Sequence, residues 1–245
     1  MESLTNPFVR EAYKNHFDLG LGYNMQYSST PSINPKVSYL KASLQVDISG
    51  NLISAFNKFM PKDSTGAYTI WDSPYSQYIR AEGSASYTWM FGKDNKQALA
   101  VRGLIGAGLA YGNSSKMPFE RLFWGGGPNS LRGWSGRSIG PGSAPMDTTF
   151  SIPNQTGDMR LEANIEYRFP LFSVFRGAIF FDWGNVWNLQ KEKESTSGEN
   201  DYTTFTFKNM FKTSSLSTGL GLRLDINFVV VRFDWGIKLY DPTTF

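Results

Sequence analysis

The stretch MRLEANIEYRFPLFSVFRGAIFFDWGNVW, residues 159–187, decides the fold of this chain. Apolar side chains occupy alternate positions through both of its halves, which a short connection at Pro170–Val174 separates. The alternating apolar residues are Met159, Leu161, Ala163, Ile165, Tyr167 and Phe169, then Phe175, Ile179, Phe181, Trp183 and Trp187. Neighbouring side chains of a β-strand point to opposite faces. A period of two therefore predicts two long antiparallel strands, each with one apolar and one polar face.

The same alternation recurs on both sides of this stretch. Further runs lie at residues 17–28, 39–48, 79–91, 98–111, 216–226 and 229–239. Eight long runs predict an all-β chain, an antiparallel meander. Short connections are predicted at Thr30–Pro35, Gly92–Asn95, Pro170–Val174 and near Asn227, and long ones at Gly50–Ser76, Asn113–Thr156 and Leu189–Ser214. Within the first long connection, Asn51–Met60 predicts a short amphipathic helix.

Strand length and face chemistry distinguish a membrane sheet from a soluble one. A soluble strand usually has about 5–6 residues, whereas a tilted strand needs about 9–11 residues to cross a bilayer. The runs here are of the longer kind, their polar face carries charges, and aromatic residues gather near the ends of the apolar face. This pattern predicts a transmembrane β-barrel. The alternative is a soluble β-sandwich or a lipocalin-like barrel, of which short strands and a strongly apolar interior are typical.

The period also assigns side chains to the two sides of the barrel wall. Charged residues predicted to face the lumen are Arg80, Glu82, Arg160, Glu162, Arg223, Asp225, Arg232 and Asp234. Residues predicted to face lipid include Val231, Phe233, Trp235 and Ile237. An error of one residue in register would exchange the two sets.

Composition excludes several classes of function. None of the 245 residues is Cys, so the chain has no disulfide framework, thiol nucleophile or Cys-ligated metal. The single His, His16, excludes a multi-His metal site, and a Ser-His-Asp triad would depend on that residue alone. The net charge of +3 is too small and too dispersed to indicate nucleic acid as a partner. We therefore expect no catalytic residues, no metal and no cofactor.

The first residues, MESLTNPFVREAYKNHF, contain neither the basic region nor the apolar region of a signal peptide. A cytoplasmic protein would also lack one. Combined with the barrel pattern, this favours a fragment or a mature form of a longer chain.

A glycine-rich motif lies in the longest connection, within PFERLFWGGGPNSLRGWSGRSIGPG at Pro118–Gly142. It does not end in the Gly-Lys-Ser/Thr of a phosphate-binding loop. Its distinctive residues are Gly126, Gly127, Ser130, Leu131, Arg132, Gly133, Trp134, Gly140 and Pro141. Two more elements follow, LEANIEYRFP at Leu161–Pro170 and FFDWGNVW at Phe180–Trp187. Together the three resemble the BamA/TamA family of outer-membrane assembly barrels, also called bacterial surface antigens.

The resemblance implies the carboxy-terminal part of a barrel that inserts or translocates proteins in a Gram-negative outer membrane. It implies one domain over residues 1–245, in which the loop at residues 113–156 folds into the lumen and Arg132 binds Glu166 and Asp182. It also implies three kinds of partner: outer-membrane lipid, unfolded β-barrel clients and accessory assembly proteins.

In the family, clients enter at a weak seam between the first and last strands, with no ATP, metal or enzymatic activity. The family barrel has more strands than the eight found here. We therefore expect the closing strand to be missing. Asp241 and Pro242 interrupt the alternation before Phe245, so we expect Phe245 to be a loop residue.

Three other functions fit parts of this pattern. A two-partner secretion pore of the same superfamily shares the RG-aromatic loop and would differ in the region before the barrel. A lipase-type enzyme fused to such a barrel would carry a nucleophile elbow upstream. A complete eight-stranded structural or adhesive barrel fits the strand count, but side chains fill its lumen and leave little room for a long loop. For Arg132, the alternative is a solvated loop charge, with Glu166 paired locally to Arg160, Arg168 or Arg176.

Overall fold

The structure is a computed structural model that describes residues 14–32, 35–145, 155–190, 203–226 and 229–244. Its strands are β1 (Gly20–Ser28), β2 (Tyr39–Ser49), β3 (Thr69–Ile70), β4 (Ser73–Pro74), β5 (Tyr78–Phe91), β6 (Gln97–Ala110), β7 (Met159–Pro170), β8 (Phe175–Trp187), β9 (Ser215–Ile226) and β10 (Val229–Tyr240). This part of the chain also contains a helical turn, α1 (Asn51–Ser54), and the 3-10 turns Asn57–Phe59, Lys93–Asn95 and Phe119–Arg121. Phe245 and Asn227, predicted to lie in a loop and in a short connection, are outside the described residues.

The eight long strands form one sheet in the order β1-β2-β5-β6-β7-β8-β9-β10, and β3 pairs separately with β4. Pairing is antiparallel from β7 to β10, with Ile165 opposite Phe181 and Leu220 opposite Trp235. The predicted all-β antiparallel fold is confirmed. Within the described residues, β1 and β10 stand at the two ends of this order, which agrees with the expectation of a missing closing strand.

The first strand begins later than the alternation predicts, at Gly20 rather than Phe17. Phe17 forms an isolated parallel bridge with Tyr75. Its backbone N donates to Pro74 O at 2.9 Å, and Ser76 N donates to its carbonyl at 2.8 Å. The connection after β2 therefore takes the backbone hydrogen bonds that would otherwise have extended β1.

The amphipathic helix predicted at Asn51–Met60 is mostly wrong. The segment forms the single turn α1 and then the 3-10 turn Asn57–Phe59. Ile53 is buried, whereas Leu52, Phe56 and Phe59 are exposed. A short helix depends on packing of one apolar face for its stability, and these side chains do not share a buried face. No helix among the described residues is both long and apolar enough to cross a membrane.

The two faces of β7–β10 have the polarity that the period predicts. On one face charged side chains are buried, including Glu162, Glu166, Asp182 and Arg223. On the other face large apolar side chains are more than half exposed, including Leu220, Phe233, Trp235 and Ile237. A protein folded in water buries apolar side chains and exposes charged ones. The inverse arrangement is what a sheet with one lipid-facing side requires.

The described chain divides into two compact units. The first contains the residues up to Asn24, with Leu44–Glu82 and Ala107–Leu122, and the second contains Met25–Ser43, Gly83–Gly106 and the residues from Phe123 onward. Strands β7 to β10 and the glycine-rich motif lie in the second unit. The single domain predicted over the whole chain stays a prediction.

Candidate functional site

The connection after β6 carries the glycine-rich motif, and we call its segment Phe123–Gly142 the RGW loop. Gly126 and Gly127 have φ of 89° and 94°, which disfavours residues that bear a Cβ. Gly126 N donates to Ser130 Oγ at 2.9 Å, and Gly127 N donates to Trp134 O at 2.8 Å. These bonds close residues 126–134 into a compact turn.

Apolar packing and β8 hold the loop in place. The buried cluster in the loop is formed by Leu131, Trp134 and Ile139. Gly142 N donates to Val186 O at 2.8 Å, and Asn185 Nδ2 donates to Gly142 O at 2.8 Å. Gly140, which precedes Pro141 through a cis peptide bond, packs so closely on Val186 that a Cβ would collide with it. The end of the loop is therefore attached to β8.

The guanidinium of Arg132 lies between two carboxylates. Arg132 Nε and Nη2 donate to Asp182 Oδ2 and Oδ1 at 2.9 and 2.8 Å, a bidentate pair. Arg132 Nη1 donates to Glu166 Oε2 at 2.5 Å. Only 7% of the Arg132 side chain is exposed. The two carboxylates therefore replace most of the hydration that a guanidinium loses on burial.

Strand register brings these two carboxylates together. In the β7–β8 pair, Asn164 lies opposite Asp182, and Glu166 lies opposite Phe180. Asn164 Nδ2 donates to Asp182 Oδ1 at 2.9 Å and keeps that carboxylate in position. The centre of the Phe180 ring is 3.5 Å from Arg132 Cζ, a cation–π contact. The cation is thus held by two charges and one aromatic face.

Ser130 links the RGW loop to β7 a second time. Its hydroxyl accepts from Gly126 N and donates to Glu162. Its carbonyl accepts a hydrogen bond from Asn164 Nδ2 at 2.9 Å. Glu162 in turn lies 2.7 Å from Arg160 Nη2. The motif serine therefore joins the glycine turn to the polar face of the strand.

Glu166 binds cations beyond Arg132. Arg168 Nε and Arg223 Nη2 lie 2.6 and 2.5 Å from Glu166 Oε1. Arg168 is one of the local partners that the alternative interpretation named, so Glu166 takes both the loop arginine and a strand neighbour. Arg176 pairs instead with Asp225, at 2.8 Å. Sequence reasoning missed Arg223 as a partner. The alternation along β9, where Leu222 and Leu224 flank Arg223, indicated the correct face, but the partner of Arg223 depends on register.

The polar face of β10 contacts residues 128 and 129 of the RGW loop. Arg232 Nη2 donates to Pro128 O at 2.6 Å and to Asn129 Oδ1 at 3.0 Å. Asp234 Oδ2 lies 3.1 Å from Arg232 Nε and 3.6 Å from Arg132 Nη1. A third carboxylate that sequence reasoning did not assign to Arg132 thus lies beside the guanidinium.

The next polar-face residues of β10 contact residues 132–134 of the RGW loop. Gly236 packs on the Arg132 carbonyl so closely that a Cβ would collide with it. Gly133 likewise has no room for a Cβ, because Ser217 and Ile237 lie against it. Lys238 Nζ lies 5.3 Å from the centre of the Trp134 ring. Residues 128–134 of the loop and residues 232–238 of β10 therefore run side by side in the same direction.

A five-residue pattern that is typical of nucleophile elbows, Gly-x-Ser-x-Gly, occurs at Gly136–Gly140. Ser138 lies within the RGW loop and not on a turn from a strand to a helix, and its Oγ donates to Ser135 O at 2.7 Å. The pattern therefore lacks the geometry of an elbow. Among the residues that the structure describes, no group of three or more His, Cys, Asp or Glu side chains is placed to hold a metal ion.

The sequence of this chain matches a known protein family over most of its length. The family model described as the Omp85 superfamily domain matches residues 14–244. The chain belongs to the Omp85 superfamily. The family that the three motifs predicted is confirmed.

Two proteins that are similar to this Omp85 chain, one in sequence and one in structure, are BamA proteins. The outer membrane protein assembly factor BamA of Neisseria meningitidis serogroup B is 27% identical over 126 residues, which cover 49% of this chain and 15% of the relative. The crystal structure of BamA from Haemophilus ducreyi lacking POTRA domains 1-3 matches with a TM-score of 0.63 and 20% identity. That match covers 92% of this chain and 40% of the solved one, so the Omp85 chain spans only part of either relative. The structural match shows that the fold is that of the BamA barrel.

Proposed function

We propose that this chain is part of an outer-membrane β-barrel that assembles or inserts other β-barrel proteins. The RGW loop is a brace on the lumenal side of its wall. The observation that carries the proposal is Arg132, held on the polar face by Glu166 and Asp182 at 2.5 and 2.8 Å. Membership of the Omp85 superfamily and the similarity to BamA support the assembly role.

The chemistry of the sheet supports the location. Exposed apolar side chains on β7–β10 are suited to lipid, and buried charges on the other face are suited to a lumen that the loop fills. The partners we propose are lipid of a Gram-negative outer membrane, unfolded β-barrel clients and accessory assembly proteins. The work that these contacts perform is binding and templating, which needs no cofactor.

The RGW loop would act as a brace by holding β10 in position. In the described sheet β10 has β9 as its one strand neighbour, so its other edge presents backbone groups that can pair with a further strand. We expect this edge to pair with the missing closing strand, and pairing in register requires a well-defined position of β10. Contacts of Arg232, Asp234 and Gly236 with the RGW loop supply that definition from the lumenal side.

Reconstitution of the full-length protein that carries this chain tests the proposal. Liposomes with the protein receive a urea-denatured β-barrel client, and the folded client is measured by its resistance to heat and detergent on a gel. We expect folding to be faster than in empty liposomes, and Arg132→Ala to remove most of the gain. Arg176→Ala, which breaks an ion pair away from the loop, is the control and should retain the gain.

Two results would contradict the proposal. If the wild-type protein exports an unfolded substrate but does not speed client folding, the two-partner secretion pore is the better interpretation. If Arg132→Ala folds clients at the wild-type rate while its loop is cleaved by protease, the loop is not the brace.

A further inference from the structure

The connection between β8 and β9 contains a segment, residues 205–214, with exposed aromatic side chains that the RGW site does not use. Phe207 is 82% exposed and Phe211 is 71% exposed. Lys208 and Lys212 follow these two residues directly and are exposed as well. Two phenylalanines and two lysines thus repeat at the same spacing of four residues.

Backbone hydrogen bonds show which residues of this segment are neighbours in space. Met210 N donates to Thr206 O and Thr213 N donates to Asn209 O, both at 2.9 Å. These are helical turns, in which residues four apart are neighbours on one side. The two phenylalanines therefore share one side of the 205–214 segment, and the two lysines share the adjacent side.

The segment is anchored at its end. Trp187 Nε1 donates to Thr213 Oγ1 at 2.8 Å, and Tyr240 OH donates to Lys212 O at 2.8 Å. Asn185 Nδ2 also donates to Thr213 O. The exposed phenylalanines are thus carried by a segment that is hydrogen-bonded to β8 and β10. A fixed, exposed pair of aromatic rings is typical of a surface that contacts a membrane or another protein.

The apolar side of the segment continues the apolar face of the sheet. The ring centroids of Phe211 and Trp183 are 5.9 Å apart. Trp183 lies on the same face of β8 as Phe181, opposite Leu216 of β9. Phe211 therefore adds to the apolar face beside Trp183, next to the start of β9 at Ser215. In β-barrels of the outer membrane, aromatic residues at the ends of this face lie at the membrane–water interface.

We propose that the 205–214 segment is a lipid-binding surface, in which Phe207 and Phe211 enter the apolar edge of the membrane. Lys208 and Lys212 bind the phosphate groups of anionic lipids. A lysine at this depth extends its ammonium group toward the headgroups while its methylenes stay on apolar surface. The ammonium group binds phosphate as a point charge, which suits headgroups of varied geometry. This surface goes beyond the assembly activity and needs only that the sheet span a membrane.

The first experiment measures where the segment lies. Because the chain has no Cys, single substitutions Phe211→Cys and Lys93→Cys can each carry one environment-sensitive fluorophore in this part of the full-length protein. The protein is placed in lipid nanodiscs, and its folding is checked by heat-modifiable mobility. We expect brominated lipid to quench the label at residue 211 and aqueous iodide to quench the label at residue 93. Should Phe211→Cys fail to fold, Phe207→Cys replaces it.

The second experiment measures the charge preference. The label at residue 211 is quenched by spin-labelled lipid that is either anionic, with a phosphate monoester headgroup, or zwitterionic. We expect severalfold stronger quenching by the anionic lipid, falling to equality in Lys208→Ala/Lys212→Ala and in high salt. Lys93→Ala/Lys96→Ala, which removes two cations beside the turn Lys93–Asn95, is the matched control and should keep the preference.

Four results would overturn the proposal. Iodide access at residue 211 equal to that at residue 93 would place the segment in water. Equal quenching by the two lipids in the wild type would remove the phosphate site. Loss of the preference on addition of inorganic phosphate at constant ionic strength would assign the site to the free anion. Dependence of quenching on the number of proteins per nanodisc would assign the surface to a second copy. Client folding that persists in the lysine variant would leave the proposed assembly function standing.

Discussion

Arg132 and Asp182 are joined by three hydrogen bonds, two from the guanidinium at 2.9 and 2.8 Å and one from the backbone N at 3.0 Å. Asp182 is fully buried, so its charge depends on these donors for compensation. Because one carboxylate binds both the side chain and the main chain of Arg132, the loop backbone is positioned together with its charge.

Arg132→Ala should detach the RGW loop. The change leaves a buried carboxylate at Asp182 without its cation, and breaking a buried pair in this way costs about 3–5 kcal/mol. The loop should be cleaved by protease much faster, while the strands persist. Arg132→Lys should recover part of the loss, because an ammonium group cannot make the bidentate pair. Urea unfolding in detergent micelles and the rate of loop cleavage are the measurements.

The matched control for this prediction is Arg176→Ala. Arg176 pairs with Asp225 and its side chain is 38% exposed, so the pair is worth about 0–1 kcal/mol. A cleavage rate for Arg132→Ala no higher than that of this control would contradict the prediction.

Glu166→Gln and Asp182→Asn should have different effects. Glu166 accepts from Arg132, Arg168 and Arg223, so its neutralisation leaves guanidinium groups on three elements with less compensation. Asp182 has one of these cations as its partner. We expect Glu166→Gln to lower hydrogen-exchange protection in β9 as well as in the loop, whereas Asp182→Asn lowers it mainly in the loop. The same loss of β9 protection in both variants would argue against this division of roles.

Gly236→Ala should push the RGW loop away from β10. The added Cβ would collide with the Arg132 carbonyl. Overpacking of this kind typically lowers the free energy of unfolding by about 1–3 kcal/mol. The control is Gly103→Ala on β6, where an added Cβ has nothing within 4 Å. That variant should stay within about 0.5 kcal/mol of the wild type. The measurement is the free energy of unfolding in micelles. An equal loss of stability in Gly236→Ala and Gly103→Ala would refute the close contact between Gly236 and the loop.

Phe233→Arg should destabilise the sheet in a bilayer. Phe233 lies near the middle of β10, opposite Leu222, on the exposed apolar face. An arginine on the lipid side at this depth costs about 2–4 kcal/mol. Phe59→Arg, at an exposed position outside the sheet, should change the stability by about 0.5 kcal/mol or less. Folding titrations in lipid vesicles are the measurement, and comparable losses for the two variants would mean that Phe233 does not face lipid.

Strands, their faces and the family could all be predicted from the sequence. Alternation in β7 and β10 is a local property, because the geometry of an extended backbone alone decides which side each residue takes. The motif at Gly126–Trp134 and the two strand motifs after it named the family without any distance. The helix predicted at Asn51–Met60 failed for the opposite reason. A short helix is stabilised by tertiary packing, and the connection after β2 offers its apolar residues no shared buried surface.

Sequence alone determined which face Glu166, Asp182, Arg223 and Asp234 occupy, whereas only the tertiary structure decided which of them meet. Face follows from a residue's parity along its own strand. Neighbourhood follows from inter-strand register and from the path of a loop, and both depend on hydrogen bonds between residues far apart in the chain. The bond between Arg223 and Glu166 spans 57 positions, and the contact of Arg232 with Pro128 spans 104. The periodicity of one strand carries no information about partners at such separations, so the parallel run of the RGW loop along β10 became visible only in the folded chain.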